Sequence, residues 1–301
     1  MFTRKTDYFF LKIISMISVV RGYNVFIIAL AQYLSAIFIL SSQKNTLSVL
    51  LDFNLFILVL ASSLTIASGY IINSFYDSKK DLINKPIKSR LDRLISQNTK
   101  LKVYFVLNFF VATIALIVSF RAVLFFSVYI FLIWFYSHKL KKFAIIGNFT
   151  ASILAVLPFF GILLYYKNFY PEVFGHALFL FLLILIREMI KDLENLQGDI
   201  ANNYQTIPSK YGEDITKKII VSLSFATLIP VYFLVNNCDL GYMDVYFYFS
   251  LIILIGFVYL VSKAIQKADY VKLHNILKII IVSGVFCIVL IKPAVIFDFF
   301  K

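Results

Sequence analysis

Two stretches carry acidic side chains at helical spacing: Asn73-Ser-Phe-Tyr-Asp77-Ser-Lys-Lys-Asp81 and Lys191-Asp192-Leu-Glu194-Asn195-Leu-Gln-Gly-Asp199. In the first, Asn73, Asp77 and Asp81 stand at i, i+4 and i+8, which is one face of a helix. In the second, Asp192, Asn195 and Asp199 stand at i, i+3 and i+7, again one face. Carboxylates gathered this way cost too much to bury unless cations neutralise them. Mg²⁺ suits the task, because it takes oxygen ligands, keeps some waters and usually binds through carboxylates together with substrate phosphates. Two facing stripes would hold Mg²⁺ ions, which in turn would hold a diphosphate. The lysines and arginines nearby would neutralise the remaining phosphate charge. A single stripe at a helix end is readily explained as a solvated terminus. Two stripes on one side, each heading a long connection, are not.

The elements that must position these stripes are membrane helices. The chain has 301 residues, of which 61% are hydrophobic and 15% charged, too little polar surface for a soluble domain. The apolar residues fall into nine windows near the length of a bilayer-spanning helix: 25–41, 53–75, 102–119, 122–137, 143–166, 173–191, 218–236, 245–262 and 276–297. The third and fourth are separated by little more than Arg121 and read as a tight helical hairpin. Lysines and arginines crowd the exits of the even-numbered windows, for example Lys79, Lys80, Lys85 and Lys88 after the second and Lys139, Lys141 and Lys142 after the fourth. The alternate connections hold Lys44, Arg121 and Lys167, and none between 237 and 244. This asymmetry puts the N-terminus and the even exits in the cytoplasm. The long connections 76–101 and 192–217, which begin with the acidic stripes, then form a cytoplasmic cap. The net charge of +13 is used up in these loops and does not indicate nucleic acid as a partner. Residues 1–20 lack a cleavage site and read as an interfacial amphipathic helix. Cys238 and Cys287 are too far apart in sequence to suggest a disulfide, and His138, His176 and His274 have no metal-ligand spacing. The expectation is an all-α integral membrane protein, one domain over 1–301, with nine transmembrane helices and the active site at the cytoplasmic face.

Several motifs in the right order make the chain resemble the UbiA prenyltransferase superfamily, whose members have nine transmembrane helices and two aspartate motifs, approximately NDxxDxxxD and DxxDxxxD. Asn73, Asp77 and Asp81 match the first, followed by Asn84-Lys85-Pro86. Lys191, Asp192 and Asp199 match the second, followed by Thr206-Ile-Pro208 and Gly212. Arg21-Gly-Tyr-Asn24 resembles the element that opens the first helix. Tyr136-Ser137, Leu140-Lys141-Lys142 and Gly147-Asn148 resemble the stretch after the fourth. Two positions depart from the pattern: Ser74 and Asn195 stand where the family usually has Asp. Asn195 can still offer a carbonyl oxygen, whereas the adjacent Glu194 points about 100° away on a helix.

The resemblance implies a Mg²⁺-dependent transfer of an isoprenyl group from a polyprenyl diphosphate to a lipophilic acceptor within the bilayer. Catalysis would fall to Asp77, Asp81, Asp192 and Asp199. Metal would be held by Asn73, Asp77, Asp81, Asp192, Asn195 and Asp199, and the diphosphate by Arg21, Asn24, Tyr136, Lys141 and Lys191. The acceptor stays open between an aromatic quinone precursor and a glycerol-phosphate-type alcohol. Arg187-Glu188 stands where many quinone-type members have Tyr and is more similar to the branch that acts on geranylgeranylglycerol phosphate. Other classes fit less well. A transporter should show ionisable residues at mid-membrane or paired broken spans, and these spans are clean at their centres. The DGxxAR…GxxxDxxxD run of CDP-alcohol phosphotransferases is absent. A catalytically silent scaffold would fail to bind Mg²⁺ and diphosphate together.

Overall fold

A computed structural model of the protein describes residues 4–41 and 45–294, with side chains described from residue 10 onward. Residues 1–3, Lys44 and the last positions of the expected ninth span, 295–297, lie outside the described residues. Among the described residues, nine helices are long and apolar enough to cross a membrane. They are Gly22–Leu40, Phe53–Tyr76, Gln97–Val118, Phe120–Lys142, Ile146–Tyr166, Pro171–Glu194, Glu213–Asn237, Met243–Lys263 and Lys267–Ile291. The hairpin between the third and fourth turns on Ser119, whose hydroxyl accepts the Ala122 amide at 3.1 Å and caps the fourth helix.

Three helices begin earlier than hydropathy suggests. The expected starts at 102, 218 and 276 fall inside helices that begin at Gln97, Glu213 and Lys267. Hydropathy marks where lysines stop, but capping decides where a helix starts. Ser96 caps the third helix through the Thr99 amide at 3.1 Å, and Gln266 and Asp269 form a reciprocal capping box on the ninth.

The second and sixth spans are the central pieces. The apolar window of the second is 72% buried and that of the sixth 50%, against 39% or less for the other seven. Spans three and four pack on the second, and spans five, seven and nine pack on the sixth. Small residues let the second span be enclosed: Ala61, Ser62, Thr65, Ala67, Ser68 and Gly69 are all buried. A side chain at Gly69 would press on Ile133 of the fourth span. The two most enclosed helices are thus the two that carry the acidic stripes at their ends.

Inside the bundle, Pro158 interrupts the fifth span. Proline has no N–H to offer residue i−4, here Leu154. The Tyr129 hydroxyl of the fourth span donates to the Leu154 carbonyl at 2.9 Å instead. Gln32 of the first span donates to the Pro158 carbonyl at 3.0 Å and to the Ser62 hydroxyl at 3.1 Å. Large apolar side chains such as Phe105, Phe109, Ile252 and Ile255 are left on the outside, as a lipid-facing surface requires.

At one end of the bundle the connections knit into a layer. The helix Arg4–Val20 exposes Phe10, Ile13, Ile14 and Ile17. Its other side docks through Ser15 on the Leu91 carbonyl, 2.8 Å, and Ser18 on Asp92, 3.1 Å. The amide of Gly198 donates to Asn84 Oδ1 at 3.1 Å, joining the two acidic connections. Lys267 at the start of the ninth span donates to the Asn84 carbonyl at 2.8 Å. Gln205 donates to the Lys142 carbonyl at 2.9 Å, tying in the fourth-span exit. At Gly198 a β-carbon would land on the Asn84 amide, so no larger residue fits without parting the two connections. Gly198→Ala is expected to cost about 1–3 kcal/mol, read as a lower unfolding temperature in detergent. An unchanged melting curve would show that this junction does not hold the layer.

Candidate active site

The first stripe is set by the end of the second span. The helix stops at Tyr76, Asp77 is its C-cap, and a short helix Lys80–Asn84 resumes after a turn. The Asp81 amide still donates to the Asp77 carbonyl at 2.8 Å, so helical spacing survives the interruption. Asn73, Asp77 and Asp81 accordingly line one polar cavity of about 230 Å³. The second stripe is divided. The sixth span stops at Glu194, Asn195 is its C-cap, and Leu196–Ala201 sets off separately. Asp192 and Asn195 line the cavity opposite the first stripe. Asp199 does not; it is fully buried behind the wall and paired with Lys80, which does line it.

The fourth span and its exit close a third side. Lys141 Nζ lies 2.7 Å from Asp77 Oδ1 and 3.1 Å from Asn73 Oδ1, while Asn73 donates to Asp77 Oδ2 at 2.9 Å. Tyr136 lines the cavity nearby. Ile145 adopts φ 66°, a strained setting for a β-branched residue, in the turn between Lys141 and Asn148. Asn148 donates to Asp192 Oδ2 at 2.7 Å. Arg21, also left-handed at φ 54°, separates the N-terminal helix from the first span. Its guanidinium lies 5.0 Å from the centre of the Tyr70 ring, on the cavity wall. Asn24 is not on the wall; it donates to the Tyr70 hydroxyl at 3.3 Å and so acts through that ring.

Charge is the dominant feature of this chamber. Burial pushes the Asp77 carboxyl up, but the ammonium groups of Lys141 and Lys80 outweigh it and hold Asp77 below its ordinary value. Lys80 is lowered by burial and raised by Asp199 and Asp77, and the carboxylates win. Asp81 is pushed up by burial and then by the Asp77 charge. Asp199 is also pushed up, because full burial exceeds the help it receives from Lys80. Tyr204 donates to Asp77 Oδ1 at 3.3 Å and carries Lys80 over its ring at 4.6 Å. Burial and the Asp77 charge keep its phenol protonated. Lys85 is held below the usual lysine range by burial and by the charges of Lys191 and Arg21.

The residues present fit Mg²⁺. The wall offers carboxylate oxygens from Asp77, Asp81 and Asp192, the hard donors this ion prefers. Asn195 lines the cavity, and its Nδ2 caps the sixth helix by donating to the Lys191 carbonyl at 2.7 Å, which leaves its Oδ1 buried and without a hydrogen-bond partner. Asp199 Oδ2 is likewise buried without one. Among the described residues no three His, Cys, Asp or Glu side chains are already gathered as a metal site. The lysines stand between the carboxylates. Glu194 turns away and pairs with His274 at 3.0 Å. Ser74 also faces elsewhere, accepting from the buried Lys100 at 3.2 Å.

Sequence spacing alone missed Lys80, Lys85, Asn148, Glu188 and Tyr204. Asn148 belonged to a stretch that already stood out, but its partner, 44 residues away, was not readable. Nothing in the sequence distinguished Tyr204 among 19 tyrosines.

A nine-helix membrane bundle whose central helices end in facing acidic segments around a cationic chamber defines a class, and the family comparison agrees with it. The chain belongs to the UbiA prenyltransferase family, whose model matches residues 25–280. It is a multi-pass membrane prenyltransferase. It is 27% identical to the digeranylgeranylglyceryl phosphate synthase of Methanobrevibacter smithii over 273 residues, 85% of this chain and 90% of that protein. It is 30% identical to the enzyme of the same name from Thermococcus sibiricus, covering 74% of this chain and 79% of that one. Its fold is similar to a solved digeranylgeranylglyceryl phosphate synthase (TM-score 0.70, 21% identity, 92% and 97% of the two chains). It is also similar to a UbiA homologue from Archaeoglobus fulgidus bound to GPP and Mg²⁺ (TM-score 0.67, 14% identity, 91% and 99%).

Two substitutions test the metal assignments. Asn195→Asp is expected to keep activity and tighten apparent Mg²⁺ affinity by at least about threefold, since a carboxylate attracts the ion more strongly than an amide; Asn195→Leu should weaken it. Superimposable Mg²⁺ titrations of the three proteins would remove Asn195 from the metal site. Ser74→Asp should instead pair with Lys100, raising the unfolding temperature by about 2–4 °C without moving the Mg²⁺ titration. A shifted titration would bring position 74 back into the site.

Proposed function

We propose that this chain transfers a polyprenyl group from its diphosphate to the hydroxyl of a glycerol-phosphate-type ether lipid, with Mg²⁺, at the cytoplasmic face. The observation that carries the reading is the meeting of Asp77, Asp81 and Asp192 around one chamber that also receives Lys80, Lys141 and Arg21. Carboxylates and cations interleaved on one wall suit a metal–diphosphate complex better than either type alone would. The acceptor class is supported by the similarity to enzymes named digeranylgeranylglyceryl phosphate synthase and by Arg187 on the chamber wall. The cytoplasmic side is supported by the lysines that flank the acidic connections.

In this reading Asp77, Asp81, Asp192 and the Asn195 oxygen hold the metal, with Asn73 and Asp199 supporting them. When bound, Mg²⁺ neutralises charge building on the departing diphosphate. Lys141 and Lys80, now paired with Asp77 and Asp199, are placed to turn toward phosphate oxygens once those carboxylates are engaged. Arg21 and Lys191 add charge from the opposite walls, and Asn24 fixes the ring on which Arg21 rests. Donors and charges held in place before the reaction need no reorganisation during it. The allylic carbon, cationic as its bond to the diphosphate breaks, lies among the aromatic groups Tyr70, Tyr129 and Tyr136, whose faces favour positive charge. The fifth span borders two cavities: Leu154, Ala155 and Pro158 line the chamber, and on another face Val156, Phe159 and Phe160 line a separate apolar cavity of about 110 Å³. An apolar cavity bordering the same helix suits a prenyl tail.

Purified protein incubated with Mg²⁺, labelled prenyl diphosphates and a panel of acceptors is expected to give an ether product with phosphoglycerol acceptors, identified by mass. Excess chelator should abolish it, and Asp77→Ala or Asp192→Ala should lower turnover by about 10²-fold or more in folded protein. Prenylated aromatic products with no ether would overturn the acceptor assignment, and full activity in chelator would overturn the metal one.

A further inference from the structure

Six cationic side chains line the chamber: Arg21, Lys80, Lys85, Lys141, Arg187 and Lys191. Two already have carboxylates of their own, Lys141 with Asp77 and Lys80 with Asp199. The others are arranged differently. Glu188, buried on the sixth span, reaches Lys191 at 2.5 Å and Arg187 at 3.3 Å, and one carboxylate balances only one of them. Lys85, from the first acidic connection, is close enough to Lys191 and Arg21 for their charges to repel it. The Nε of Arg187 is buried and has no hydrogen-bond partner. With Asp77, Asp81 and Asp192 assigned to metal, Glu188 is the one remaining carboxylate lining the chamber, and its contacts are with Arg187 and Lys191.

These cations also lie to one side. At 3.6 residues per turn, Arg187 and Lys191 are separated by about 40° around the sixth helix, whereas Arg187 and Asp192 are about 140° apart. Lys191 therefore stands between two poles, with the metal-binding carboxylate at one edge of the cavity-facing arc and Arg187 at the other. Lys85 lines the same chamber from the facing acidic connection, together with Arg187 and Lys191.

We infer that Arg187 and Lys85, with Lys191 shared between the poles, form a second anion subsite that binds a phosphomonoester on the acceptor, apart from the donor diphosphate. The inference rests on the proposed acceptor class and adds where and by what its phosphate is held. Arg187 supplies a planar fork for two phosphate oxygens, and Lys85 a point charge from the facing connection. Glu188 keeps the two sixth-span cations apart and oriented while the subsite is empty.

The test is binding without turnover. Protein saturated with Mg²⁺ and inorganic diphosphate, which fill the donor pole, is titrated with hexadecylglycerol phosphate and, separately, with hexadecylglycerol. The phosphorylated probe is expected to bind at least about tenfold more tightly. Arg187→Gln and Lys85→Gln, changes on two different elements, should each remove most of that preference while leaving diphosphate affinity within about twofold. Arg187→Lys should retain part of it, because charge is kept and the fork is lost. Equal binding of the two probes, a preference that survives both Gln substitutions, or expulsion of diphosphate by the phosphorylated probe would overturn the subsite. Because no product is needed, a protein that shows the expected binding yet prenylates no phosphoglycerol would contradict the proposed reaction and leave the subsite standing.

Discussion

The structure depends on burying opposite charges together at the ends of its two most enclosed helices. An isolated carboxylate removed from water costs several kcal/mol, so Asp77 and Asp199 would be intolerable alone. Lys141 and Lys80 make them tolerable. Each lysine comes from a different segment than the obvious one. Lys141 leaves the fourth span to reach the second, and Lys80 leaves the first acidic connection to reach the second. The two acidic connections and the fourth-span exit are therefore held by charge as well as by packing. The chamber stays polar because its walls satisfy one another without collapsing.

The same pairing accounts for how this chain can lack an aspartate at two family positions. At Ser74 the side chain faces Lys100 and not the chamber, so the change removes a carboxylate from the packing between the second and third spans. At Asn195 the residue spans both roles: the amide nitrogen ends the sixth helix while the oxygen stays buried and unpartnered at a residue that lines the chamber. The two replacements look alike in sequence and differ in consequence, because one position faces a neighbouring helix and the other faces the site.

How much of this was legible in the sequence follows from the range of each interaction. The nine spans rest on local hydropathy, and all nine are present. The first stripe rests on spacing within nine residues, and Asn73, Asp77 and Asp81 do share a wall. The second stripe assumes a continuous helix, which ends at Asn195; the break carries Asp199 behind the wall. The start of the ninth span was hidden because Lys267, Lys272 and Lys278 depress hydropathy over residues that a capping box nonetheless makes helical. Lysine partners were beyond reach for another reason. Lys141 and Asp77 are 64 residues apart, and many lysines share the loops with Lys141.

The ninth span has a role that its composition conceals. It adds no ligand to the acidic segments, yet Lys267 holds the Asn84 carbonyl and His274 holds Glu194. Asn84 in turn receives the Gly198 amide. The link between the two acidic connections is therefore braced by the ninth span. A ribosome delivers both acidic segments to the membrane long before residue 267 emerges. During that interval the acidic segments lack the contacts that Lys267 and His274 supply. Birth order and active-site bracing are in this way linked: the two acidic segments are made before the helix whose Lys267 and His274 hold them.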